Sequence, residues 1–147
     1  MTGLPAGVTI DSFDDAAWQR EYTRRVAGLI DLINRAGAYV VWMGLPITED
    51  PSQTSRFDRI NAAVYRVIQS RPGGAAFIDT YRLLAGPNGG YAQYLQNLSG
   101  EMEDVRAPDG VHLAPAGAAI VARAVLADLN QAYDLTSWRR RTAAARK

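Results

Sequence analysis

Two short apolar runs, each following a stretch of helical periodicity, constrain the fold of this chain more than any other feature. Tyr39-Val40-Val41-Trp42-Met43-Gly44-Leu45 runs unbroken to Pro46, and Ala75-Ala76-Phe77-Ile78-Asp79 repeats the pattern at shorter length. Apolar residues at successive positions predict strands buried on both faces, as in a parallel sheet. Parallel neighbours need a crossover, and the sequence supplies a helix for it. Phe57, Ile60, Val64, Val67 and Ile68 share one helical face between the runs. A polar loop is expected before them at 47–54, and Arg71-Pro72-Gly73-Gly74 breaks the helix after them.

An upstream helix repeats Trp18, Tyr22, Val26, Leu29, Ile30 and Ile33 at three- and four-residue spacing, with Arg20, Arg24, Arg25 and Asp31 on its wet side. Asp14 or Asp15 can cap it, and Ala36-Gly37 ends it. A last helix follows Leu113, with Pro115 in its first turn, and continues through Ile120, Val121, Ala124, Val125 and Leu129. Between 80 and 108 the pattern loosens: Gly86-Pro87-Asn88-Gly89-Gly90 reads as a turn and 91–98 as a short helix or an irregular loop. The order helix, strand, helix, strand indicates α/β layering. The whole of 1–147 reads as one domain, with an irregular segment at 1–13 and a basic, solvated tail at 139–147.

A formal net charge of +1 argues against a general nucleic-acid binder, which would concentrate a basic face. No apolar stretch approaches the roughly 18 residues of a bilayer span. No signal peptide is visible, so localisation stays open. Without cysteine, disulfides and thiolate metal sites are excluded. Glu49, Asp50, Glu101, Glu103 and Asp104 read as solvated charges rather than metal ligands, and no cofactor is expected.

The chemistry concentrates in Ala107-Pro108-Asp109-Gly110-Val111-His112-Leu113, which holds the sole histidine. A Pro/Gly-shaped loop leading into a helix can set a carboxylate beside an imidazole three residues on. A carboxylate on one ring nitrogen fixes the tautomer and stabilises the imidazolium, so the other nitrogen can take a nucleophile's proton. The alternative is that Asp109 shapes a turn and His112 merely sits near a helix start.

Asp109-Gly110-Val111-His112-Leu113 with Ala116-Gly117 resembles the C-terminal Asp-x-x-His block of the SGNH (GDSL-type) hydrolases. The resemblance continues in collinear order through Trp18, Tyr22, Arg25-Val26, Val41-Trp42-Met43-Gly44-Leu45-Pro46, Asn61, Phe77-Ile78-Asp79-Thr80, Tyr91 and Val105-Arg106, covering roughly residues 14–130. It implies a partial flavodoxin-like three-layer α/β/α sandwich with its early strands missing. It also implies serine ester hydrolysis, with His112 as general base and Asp109 as its orienting carboxylate, on a small ester or an acylated carbohydrate. Many relatives work outside the cytoplasm. The family's Gly-Asp-Ser and Gly-x-Asn-Asp blocks precede the helix that starts near Trp18, and this chain lacks both.

No serine meets the pattern for the nucleophile. Asp11-Ser12 after Val8-Thr9-Ile10 comes closest, but Ile10 stands where glycine belongs. Ser52 and Ser55 follow a strand end, where ligands gather in open sheets. They are candidates for a substrate cleft or, more simply, loop and cap residues. Asn61 lies inside a helix and reads as a structural hydrogen-bonding residue. Three functions stay open: part of an ester hydrolase completed by an upstream or separate N-terminal chain, an inactive remnant serving as a binding or assembly module, or a flavodoxin-like binding domain of other ancestry. If the early strands are absent, the first strand exposes an apolar edge that favours a homodimer or a complementing chain.

Overall fold

The computed structural model describes residues 16–135. Ser12, Asp14 and Asp15, the 1–13 segment and the 139–147 tail lie outside them. The elements are α1 (Ala16–Arg35), β1 (Val40–Met43), α2 (Pro51–Gln69), β2 (Ala75–Ile78), α3 (Thr80–Leu83), β3 (Tyr94–Gln96), β4 (Met102–Asp104) and α4 (Pro115–Tyr133). The fold is mixed α/β.

β1 and β2 pair in parallel, with Val40 opposite Ala75 and Trp42 opposite Phe77. Successive strand residues point to opposite faces. Val40, Trp42, Ala75 and Phe77 pack against a core formed by Val26 and Ile30 of α1 with Val64, Val67 and Ile68 of α2. The alternate set, Val41, Met43, Ala76 and Ile78, faces the other way, towards α4, which packs on both strands. The pair therefore has helices on each side. The expected double burial needs correction, since β1 is only half-buried and Met43 is 57 % exposed. Among the described residues each strand has a single neighbour, so neither is enclosed.

On α1, Val26 and Ile30 reach the core as expected, whereas Leu29 is exposed. Glu21 is buried and receives hydrogen bonds from Arg24 and Arg25 on the same helix. The expected loop at 47–54 is corrected as well, because α2 begins at Pro51. Asp50 caps it, its carboxylate accepting from the Ser52 amide at 2.8 Å, and Pro51 occupies a first-turn position that needs no N–H. Ile47 and Thr48 ahead of the cap are buried. The Thr48 amide donates to Thr54 Oγ1 at 2.9 Å.

Residues 91–98 form neither a helix nor an irregular loop. They enter an antiparallel hairpin in which Tyr94 faces Asp104 and Gln96 faces Met102. Asn97 makes the turn, its side-chain oxygen accepting from the Ser99 and Glu101 amides. Past β4 the chain stays extended: the Val105 amide donates to Gln93 O, and Arg106 bridges to Leu113. That bridge closes the loop carrying Asp109 and His112.

Candidate functional site

The carboxyl ends of β1 and β2 are tied together before the site is built. The Gly44 amide donates to Ile78 O at 2.9 Å, and the buried Thr80 hydroxyl donates to Gly44 O. One residue further, Asn61 of α2 acts as a surrogate strand. Its Oδ1 accepts from the Leu45 amide at 2.7 Å and its Nδ2 donates to Leu45 O at 2.8 Å. The chain leaves β1 on a fixed path towards Ile47.

The loop between Arg106 and Leu113 is a turn with a proline start. The Gly110 amide donates to Ala107 O at 3.0 Å, Pro108 presets the first corner, and Gly110 takes a φ of 69° that suits glycine. A side chain at Gly110 would also strike Glu49. The Ala107 amide donates to His112 O at 2.8 Å, and the Glu49 amide to Gly110 O at 3.2 Å. These bonds dock the loop on the segment that follows β1.

Asp109 is divided between two tasks. Its Oδ1 accepts from the amides of Val111 and His112 at 3.0 and 2.9 Å, while Oδ2 lies 2.5 Å from His112 Nδ1. Both side chains are open to solvent, His112 at 80 % and Asp109 at 48 %. The His112 hydrogen bond, followed by the two amides, holds the Asp109 carboxyl at about 2, below its ordinary 3.8. A depressed carboxylate favours the folded state above its ordinary value and loses that contribution as pH falls from about 3.8 through about 2. At pH 3, carbon-13 NMR is therefore expected to find Asp109 mostly ionised in the wild type and measurably more protonated in His112→Ala, which keeps the two amide bonds. Equal ionisation in both would remove His112 as the main cause.

His112 also lines a cavity of about 370 Å³ at the carboxyl end of β1, walled by Met43, Leu45, Phe57, Leu84, Leu113 and Val121. Carboxyl ends of parallel strands are where open α/β sheets take ligands. A larger cavity of about 610 Å³ sits at the amino ends, against Tyr39 and Gly74, and contains none of residues 109–112. Ser52 lies exposed in the first turn of α2, its hydroxyl donating to Asp50 at 3.0 Å. Ser55 is exposed one turn on. Among the described residues neither they nor any other serine lines the cavity beside His112. Among the described residues no three carboxylate or histidine side chains gather as metal ligands.

Arg106 is the residue that sequence reasoning missed as part of the site. Its side chain is wholly buried, Nη2 donates to Ile47 O at 2.7 Å, and Nη1 reaches Val111 O at 3.4 Å. The guanidinium lies 5.6 Å from the centre of the Tyr91 ring, and Nε has no partner among the described residues. Burial lowers its pKa. A buried cation is costly unless hydrogen bonds offset its desolvation, and two of its nitrogens reach carbonyls. Here it joins the residue before His112 to the segment after β1. Only its place in the collinear resemblance pointed to it.

No helix among the described residues is long and apolar enough to cross a membrane. The chain matches none of the curated proteins it was compared with. Residues 3–128 match a family described as proteins of unknown function (DUF459), and over that share of its length the chain belongs to this family.

Proposed function

We propose that Asp109 and His112 are the orienting carboxylate and general base of an SGNH-type serine ester hydrolase. One observation carries this reading: Asp109 engages His112 Nδ1 at 2.5 Å, which leaves Nε2 to exchange a proton beside an apolar cavity. In the reaction a serine hydroxyl attacks the ester carbonyl and its proton passes to Nε2. The same proton then goes to the departing alcohol. Water, deprotonated by Nε2, then attacks the acyl carbonyl, and the same proton returns to the serine oxygen as the acid leaves. The nucleophile is supplied by none of residues 1–147 but by a stretch upstream of them or a separate chain, within a flavodoxin-like three-layer domain.

A base with nothing to activate gives little covalent catalysis. Incubation of this chain with a fluorophosphonate probe is expected to leave its intact mass unchanged. Stoichiometric labelling at Ser12 or any other serine would overturn the view that the nucleophile comes from elsewhere. A second reading, an inactive remnant used for assembly, is favoured by exposed Met43 on a strand with one described neighbour. Light scattering after size exclusion separates the two: a dilute monomer with a cooperative melt counts against assembly through the strand edge.

A further inference from the structure

The cavity beside His112 has a chemical character of its own. Apart from His112, Thr80 and backbone, its walls are hydrocarbon and thioether: Met43, Leu45, Phe57, Leu84, Leu113 and Val121. The Thr80 hydroxyl is already committed to Gly44 O, so it offers a substrate no free donor. On the other side of the imidazole the surroundings are polar and open, with exposed Asp109 bonded to the ring and Glu49 packed on Gly110. An ester held at His112 therefore has one apolar, walled side and one wet, anionic side.

We propose that this cavity takes the acyl chain of the substrate, and that the substrate is an ester of a linear aliphatic acid of about six to eight carbons, not an acetyl ester. The proposal rests on the hydrolase reading above and adds the substrate class. Two arguments fix the orientation and length. The alcohol departs first and takes its proton from the imidazole, so it belongs on the side open to water, which leaves the acyl chain for the walled side. A methylene fills on the order of 30 Å³, much as a water molecule does in the liquid. A cavity of about 370 Å³ then has room for the ester group and a medium chain. An acetyl group would leave most of it unfilled, and apolar walls gain nothing from a methyl that does not reach them.

The test uses this chain and uncleaved esters, followed by NMR. Each buried methylene adds about fourfold in affinity, so ethyl hexanoate is expected to bind on the order of 100-fold more tightly than ethyl acetate. Its terminal methyl should show intermolecular NOEs to the Phe57 ring and the Val121 methyls. Met43→Trp, at an exposed position on the cavity wall, is expected to abolish this preference while the thermal melt stays cooperative. Should that variant fail to fold, the wild-type affinities and NOEs decide alone. Equal affinity for the two esters, or NOEs from the ethyl group in place of the hexanoyl chain, would overturn the proposal. Because binding is read without turnover, this result is independent of the base assignment. Release of hexanoate in the same tube would sink the external-nucleophile reading and leave the chain-length preference standing.

Discussion

Gly117→Val is expected to lower the melting temperature on the order of 10 °C. Gly117 lies in the first turn of α4, and a β-carbon there would sit 2.2 Å from Val105 O. That oxygen is backbone, already accepts from the Ala114 amide, and belongs to a residue that is 1 % exposed. It has nowhere to go, so α4 must shift away from the segment leading to Arg106. Overpacking of this kind costs about 3 kcal/mol. The control has the opposite sign. Gly28, mid-helix in α1, has nothing within 4 Å of an added β-carbon, so Gly28→Ala should stabilise by about 1 kcal/mol through helix propensity. Thermal melts by circular dichroism read both. A Gly117→Val melt within about 2 °C of wild type would mean that α4 does not approach Val105 so closely.

The largest effect on activity is expected at Asp109. Asparagine preserves size and can still accept from the Val111 and His112 amides through its oxygen, so the turn survives. What changes is the atom facing Nδ1: an NH₂ group replaces Oδ2 and favours the tautomer whose proton sits on Nε2. That nitrogen can then no longer accept from a nucleophile. In serine hydrolases this tautomer error costs about 10⁴-fold in kcat, and a loss of that order with little change in KM is expected once the chain is reconstituted with its nucleophile-bearing part. His112→Ala should do no less. A loss under about tenfold for Asp109→Asn would reduce Asp109 to a turn-former.

Asp109 and His112 could be read directly because both partners lie within one turn, so spacing alone brings them together. Arg106 shows the opposite case. Its partners, Ile47 and Tyr91, are distant in the chain, and no local pattern announces that an arginine will be buried. The helices were legible through their apolar periodicity. The start of α2 was misplaced because the polar residues at 47–54 outweighed the Asp50-Pro51 cap signal, although that signal was present. The β3–β4 hairpin left little trace. Its strands are three residues long and largely exposed, so no apolar alternation marks them, and only Asn97 and Gly100 flag the turn. The apolar content of β1 marks a strand but does not show whether that strand is enclosed. Composition reports what a residue tolerates, whereas enclosure depends on which neighbours are there.

The guanidinium of Arg106 also links the fates of two loops. If the 107–112 loop lifts away, Nη1 loses Val111 O and a desolvated charge is uncovered. If the segment after β1 lifts, Nη2 loses Ile47 O with the same consequence. Both segments lean on the same guanidinium, so lifting either removes one of its carbonyl anchors and loosens its hold on the other, and the two are expected to open as one cooperative unit. Their amides, Glu49 bonded to Gly110 O and Ala107 bonded to His112 O, should then exchange with solvent at a common opening free energy. The loop that carries the imidazole and the segment at the strand end are then expected to leave register together.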